Sequence, residues 1–327
     1  MGYAKQITTI AVLVIISILY EKFKAGDPWG DYSKHYELVK QHLLTSQSDQ
    51  RRHLPIIWIH VSTDINARWW ANFNSRNTTC LNQPYQNVTI KSVMNRCKDD
   101  FNICVINDKS FSTLVPNWNT DLSTVAEPIR SNMRKVAIAK ILYVFGGLYI
   151  PSSFLCIHSL KDLYEEGLSE SGIFTGEVLE KEINTEISQP CLPPLLPSTE
   201  FMGCEMKNPV MKEYIYFMEN LTATDYTATS TFLGEEDVWI WNKYKEKKIK
   251  LVRGELLGTR KACKTIITVD ELLGDSYIEL DDNCVGIYIP QKEILRRTKY
   301  QWFARLSEKQ LVESNTFIGK QCLVTLH

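Results

Sequence analysis

LPIIWIHV, Leu54–Val61, is an unbroken apolar run entered from the basic pair Arg51-Arg52. A run this short and continuous is the pattern of a strand buried on both faces of a parallel sheet. Working outward, NVTIKSVMNRC (Asn87–Cys97) repeats apolar residues at helical intervals, through Val88, Val93, Met94 and Cys97. FNICVIND (Phe101–Asp108) is a second apolar run that ends polar. Strand, helix and strand at this spacing predict a βαβ unit with a right-handed crossover. Ligands of such sheets bind beyond the carboxyl ends of the strands, here His60–Asp64 and Asn107–Lys109. The fold class expected is α/β: a mostly parallel, Rossmann-like sheet with strands 54–61, 101–108 and 148–158 side by side, flanked by helices near 83–97 and 124–145.

The second helix is read from Thr124 to Phe145. Thr124-Val-Ala-Glu127 has the form of a capping box, and Ile129, Met133, Val136, Ala137, Ile141, Val144 and Phe145 share a face. Gly146-Gly147 ends it, because glycine accepts the left-handed backbone needed there. LYIPSSFLCIH (Leu148–His158) reads as the next strand, with Pro151 marking an end or a bulge. QPCLPPLLPSTE (Gln189–Glu200) carries four prolines and is expected to be irregular. A helix is expected from Val210 to Leu221, a loop or short helix at TVDELLGD, and a late strand at NCVGIYIP (Asn283–Pro290).

Ile7–Tyr20, ITTIAVLVIISILY, is fourteen residues without a charge, flanked by Lys5 and by Glu21, Lys22 and Lys24. A bilayer core takes roughly 20 apolar residues in a helix. The run is short, but Tyr20 and Phe23 suit the interface and the lysines can snorkel. Its ILYEKF end is a poor cleavage site. The expectation is an uncleaved single-pass anchor over residues 1–24; the alternative is a buried core helix. A polar stem, 25–53, follows, then the body, 54–290, and a basic-aromatic segment, 291–327, containing RRTKYQWFARL.

Hydrophobic residues make up 44% of the 327 and charged residues 23%, a globular balance that argues against disorder. The net charge of −1 gives no field favouring nucleic acid, and none is expected as a partner. None of the nine cysteines falls in a C-x-x-C pair, so zinc ribbons and thioredoxin-type sites lack support. Mostly reduced core cysteines are expected over a disulfide framework, since a chain this long builds its own core. Asn77, Asn87 and Asn220 open N-x-T triplets, relevant only to a lumenal body.

ILYVFGGLYIPSSFLCIHSL (Ile141–Leu160) resembles the sugar-binding segment of the DxD nucleotide-sugar glycosyltransferases, the group of yeast initiating mannosyltransferases and bacterial capsule-synthesis enzymes. The likeness runs over about residues 54 to 220, where EFMGCEMKNPVMKEYIYFMENL is similar to a later substrate-side helix. NQPYQNVTIKSVMNRCKDDFNICVINDKSF also resembles proteins of large DNA viruses. The resemblance implies a GT-A-like fold, a nucleotide-sugar donor and a glycan or protein acceptor. In that family an Asp pair supplies hard oxygen ligands to Mn²⁺ or Mg²⁺ on the diphosphate. Here those positions are Pro151 and Ser153, and the acid and arginine of the preceding helix fall on Lys135 and Ile138. The DxD motif is therefore degenerate. No cofactor is expected, and Mn²⁺ or Mg²⁺ would need a non-standard acidic site.

The candidate ligand-binding residues follow from these readings. Arg130 and Arg134 share a helix face and could hold a diphosphate without metal; the alternative is a solvated face paired with Glu127. Asp64, Asn66 and Arg68 follow the first strand, where a capped loop is the alternative. Asn107 and Asp108 end the second, where a turn is equally expected. The resemblance adds Gly146, Gly147, Tyr149, Ser152 and Ser153. Glu235, Glu236 and Asp237, read as a loop after Gly234, are the remaining place for a base or a metal. His60 and His158 read as strand-end or core histidines. Two functions compete: a membrane-anchored glycosyltransferase-like enzyme in a secretory-pathway, viral or host membrane, and a non-catalytic binding or structural protein of the same fold, associated with a virion.

Overall fold

A computed structural model of the chain describes residues 38–44, 51, 53–62, 83–177, 197–224 and 229–326. The chain divides into two compact units, Met1–Gln41 and His42–His327. The expected anchor and most of the expected stem, all of 25–53 except 38–44, 51 and 53, lie outside the described residues. Among those described, no helix is long and apolar enough to cross a membrane.

The second unit is α/β. Among the described residues its main sheet has six strands: β1 (Ile56–His60), β2 (Asn102–Ile106), β3 (Gly147–Pro151), β5 (Ile173–Gly176), β6 (Ser198–Cys204) and β7 (Lys250–Val252), in the order β2-β1-β3-β6-β5-β7. β1 pairs in parallel with β2 and β3, β5 pairs in parallel with β7, and β6 runs antiparallel between β3 and β5. Ile57, Trp58 and Ile59 are fully buried, as the continuous apolar run requires of a central strand. Successive side chains point to opposite faces. Ile57 and Ile59 join Val93 and Cys97 of helix α1 (Tyr85–Cys97) in one core. Trp58 packs on Phe145 of helix α3 (Ile129–Phe145) and donates its indole N–H to the Gly146 carbonyl at 2.9 Å. A short helix, α2 (Phe111–Leu114), lies between them in sequence.

The stretch 148–158 is not one strand. β3 ends at Pro151, Ser152–Ser153 turn, and Phe154–Cys156 forms β4, which pairs with β8 (Gly286–Tyr288) in a separate two-stranded sheet. Pro151 has no N–H for the ladder, and the chain leaves the sheet there. Helix α3 begins at Ile129 rather than Thr124. Thr124 closes a 3-10 turn, Leu122–Thr124, and Pro128 disfavours helical backbone at Glu127. The Glu127 carboxylate instead accepts from the Ser131 N–H and hydroxyl, at 3.2 and 2.5 Å, covering an orphan donor of the first turn.

After α4 (Lys161–Leu168), the expected irregular stretch 189–200 yields its last three residues to β6. α5 (Pro209–Thr224) matches the expected helix and carries Asn220. Gly234–Asp237 is not a loop: it lies inside helix α6 (Thr229–Lys245). α7 (Val269–Leu273) is a short helix with a complete Thr268/Glu271 capping box. The residues expected as a C-terminal segment are packed into the unit. Tyr300, Phe303, Leu311, Phe317, Ile318 and Cys322 share a core with Tyr85 and Val88 of α1. All seven cysteines among the described residues are free, six of them buried.

Candidate functional site

β1 and β3 run the same way, so His60 and Pro151 stand together at the carboxyl edge of the sheet, paired in register. A cavity of about 390 Å³ opens there. Its floor includes Tyr149, Pro151 and Ser152, and one wall is the amino-terminal half of α3, with Arg130, Arg134, Lys135 and Ile138. Thr199 and Glu200 of β6 and Lys292 line it from other sides. α3 runs back against β3, so its amino terminus, the end where helix N–H groups lack partners, faces this edge.

A polar cluster sits at one end. Asp108 accepts from His60 Nε2 at 2.9 Å and from the Arg134 fork, Nε at 2.8 Å and Nη2 at 2.5 Å. The His60 ring stacks on Phe111, with centroids 5.4 Å apart and planes 7° apart. Burial pushes the Asp108 carboxyl up, but the hydrogen bonds and charges of His60 and Arg134 outweigh it and hold the group well below the usual carboxylate range. Asp108 is thus an ionised acceptor, and the His60 proton facing it resides on Nε2.

A second cluster supports the wall. Glu236 is buried and accepts from Lys135 Nζ at 2.5 Å, Tyr214 Oη at 2.6 Å and Thr199 Oγ1 at 2.9 Å. Burial raises its carboxyl, and Lys135, Tyr214 and Thr199 more than reverse this. Tyr214, buried against that charge, is pushed well above the usual phenol range. Lys292 donates to Glu200 at 2.8 Å.

Of the expected site residues, Arg130, Arg134, Tyr149 and Ser152 line the cavity. Asp108 lies behind it, positioning His60 and Arg134. Asn107 is a cap, its side chain accepting from the Lys109 and Ser110 N–H groups. Ser153 is fully buried beneath the floor, with its hydroxyl unpartnered. Gly146 and Gly147 do not reach the ligand edge. Gly147 opens β3 four residues before Pro151, at about 3.3 Å per residue the opposite end of the strand, and Gly146 precedes it as the cap of α3. Glu235 is exposed and only Glu236 turns inward, because the three acids are helical and face different directions. Asp64, Asn66 and Arg68 lie outside the described residues.

No known family's sequence profile matches this chain. No curated protein matches it either.

Sequence reasoning missed Glu200 and Lys292, placed Ser62 inside the strand-end stretch His60–Asp64 without singling it out, and set His60 aside as a strand-end histidine. Lys135 and Ile138 were reached by counting from the glycine turn, and both do face the cavity. Lys292 carried no local signal, since only the tertiary fold brings it to Glu200. Among the described residues, no three His, Cys, Asp or Glu side chains gather in a group that could hold a metal ion. The lining is cationic on the α3 side, and carboxylates engage Arg134, Lys135 and Lys292.

Proposed function

We propose that the second unit is a nucleotide-sugar-binding domain of the glycosyltransferase type, tethered to a membrane through residues 7–20. The observation that carries this is the position of the cavity. It opens at the carboxyl ends of β1 and β3, with Arg130 and Arg134 on its wall and Pro151 and Ser152 on its floor. That is where open α/β sheets bind ligands, and where the resemblance assigns the sugar diphosphate. Guanidinium groups and the amino terminus of α3 suit phosphate oxygens without a metal. Pro151 and Ser153 supply no carboxylate, so a divalent cation at the floor would lack its family ligands.

A second reading is a binding protein of the same fold without turnover. The engagement of Arg134, Lys135 and Lys292 by Asp108, Glu236 and Glu200 favours it, because less positive charge is left to stabilise a leaving diphosphate.

Calorimetric titration of the full chain in detergent with UDP-glucose and GDP-mannose, with and without Mn²⁺, tests the proposal. Binding is expected, unchanged by Mn²⁺. Arg130→Ala should weaken it roughly tenfold or more, the value of a charge-assisted hydrogen bond of about 1.5–3 kcal/mol. No binding would remove the nucleotide-sugar reading, and tightening by Mn²⁺ would remove the metal-free one. Release of nucleoside diphosphate on incubation separates enzyme from binding protein.

The tether makes its own prediction. Deleting residues 1–24 should move the protein from the membrane pellet to the soluble fraction with its cooperative melting transition intact. Aggregation or loss of that transition would place the segment in the fold.

A further inference from the structure

His60 and Ser62 are two residues apart at the carboxyl end of β1, and both line the cavity. The Val61 N–H donates to the Ile106 carbonyl at 2.9 Å, so extended pairing continues past the strand's last residue. In extended chain, residues i and i+2 rise on the same side. Their hydrogen-bonding states are complementary. The Ser62 hydroxyl is buried and has no partner among the described residues. A buried hydroxyl without a partner is costly unless something brings it one. His60 commits its Nε2 proton to Asp108, and the Arg134 fork keeps Asp108 ionised and in place. In the neutral ring this leaves Nδ1 with a lone pair and no proton, an acceptor. Phe111 stacked on the ring fixes its plane.

We propose that His60 and Ser62 form a hydroxyl-binding subsite that takes a polyol, a sugar ring, in this cavity. One ligand hydroxyl donates to His60 Nδ1, and the same or a neighbouring oxygen accepts from Ser62 Oγ. Asp108 and Arg134 are positioning residues: they select the His60 tautomer and do not touch the ligand through this subsite. Discrimination follows from the chemistry, since a site built to pair a hydroxyl is left with unpaired buried groups when the ligand lacks one. That the sugar arrives on a nucleoside diphosphate rests on the reading above; the subsite itself rests on the two side chains.

The test uses the full chain in detergent and three kinds of probe: UDP and GDP, UDP-glucose and GDP-mannose, and free glucose and mannose. A sugar conjugate is expected to bind at least tenfold more tightly than its own diphosphate. Ser62→Ala and His60→Gln, each checked for an unchanged melting transition, should remove most of that gain and leave diphosphate affinity unaltered. Asp108→Asn should reduce the gain similarly. Long-range ¹H–¹⁵N spectra of the imidazole should then show loss of the Nε2–H tautomer, which a purely structural role would not produce. If wild type shows no gain, or if the gain survives both substitutions, the subsite is overturned while the nucleotide reading stands. If diphosphates and conjugates fail to bind but free sugars bind in a manner dependent on His60 and Ser62, the subsite stands and the carrier is wrong. If no probe binds, both fall.

Discussion

Gly147→Ala is expected to destabilise the protein by about 3 kcal/mol or more, with chemical denaturation of the full chain as the measurement. Two causes add. Gly147 has φ +104°, outside the regions an L side chain readily adopts; holding a non-glycine residue in such a conformation costs about 1–3 kcal/mol. A Cβ there would also overlap the Ile56 carbonyl oxygen, far inside the 3.0 Å limit at which something must move. That oxygen belongs to the first residue of the central strand, so relief means shifting the β1–β3 pairing. Forcing extra atoms into a packed core costs typically 1–3 kcal/mol more. Gly146→Ala is the comparison. Its φ of +65° with ψ −164° is likewise a backbone that only glycine adopts readily. A Cβ there meets the Met206 side chain at 3.0 Å and the Met206 nitrogen and Cys204 carbonyl oxygen at 3.1 and 3.2 Å without overlapping them. The loss expected is therefore the conformational one alone, roughly 1–3 kcal/mol. Equal effects at the two positions would refute the close approach at Ile56 as the cause. The glycine pair thus belongs to the sheet's construction, and its substitution should act through stability before it acts on binding.

Lys135→Met should cost about 3–5 kcal/mol at neutral pH, because it strands the Glu236 charge in the interior. Met keeps most of the side-chain volume, so packing changes little. Glu236 is 2% exposed, and Lys135 is its only cationic partner among the described residues. Adding Glu236→Gln to the variant should recover much of the loss. A neutral amide can still meet Tyr214 and Thr199, and neutral replacement of both partners is far less costly than removal of one. The pH dependence has a definite sign. The folded-state carboxyl of Glu236 lies below its ordinary value. Its stabilising contribution is therefore complete above the unfolded carboxylate pKa, about 4.3, and is lost as pH falls through the folded value. In Lys135→Met, burial dominates, the carboxyl rises, and Glu236 takes up a proton earlier. The gap between wild type and variant should narrow steadily on acidification from pH 7 to below 4. A gap independent of pH would show that lost packing, not the buried charge, sets the cost.

Both substitutions bear on the cavity. Lys135 and Thr199 are cavity-wall residues that Glu236 ties together from behind, and Tyr214 joins them from α5. The wall is held by a satisfied buried carboxylate, an arrangement that fixes geometry whether or not it adds net stability. On the other side Asp108 does the same for His60 and Arg134. The cavity-lining His60, Arg134, Lys135 and Thr199 are thus oriented by acids that hold them in place.

The βαβ core was legible in the sequence because its signals are local. Leu54–Val61 is continuously apolar, and only burial on both faces accounts for that. The helix after it carries its own period, and Gly146-Gly147 stops the next helix by backbone freedom alone. Pro151 announced the end of β3 through its missing N–H. By the same rule, Pro128 could have moved the start of α3 from Thr124 to Ile129. The acids of 234–237 misled because Gly234 and three carboxylates in a row have the composition of a loop. The segment is helical, with Glu236 facing Lys135, Thr199 and Tyr214, partners 101, 37 and 22 residues away along the chain. What the sequence by itself determined is the α/β class and the three parallel strands whose carboxyl ends share one edge, since these follow from hydrophobic period and backbone chemistry along single stretches. Only the tertiary structure decided that β4 leaves the sheet to pair with β8, that 291–326 completes a core, and that His60, Asp108 and Arg134 converge. Those outcomes depend on which surfaces meet across long separations, and burial and charge pairing between distant residues leave no periodic trace in the chain.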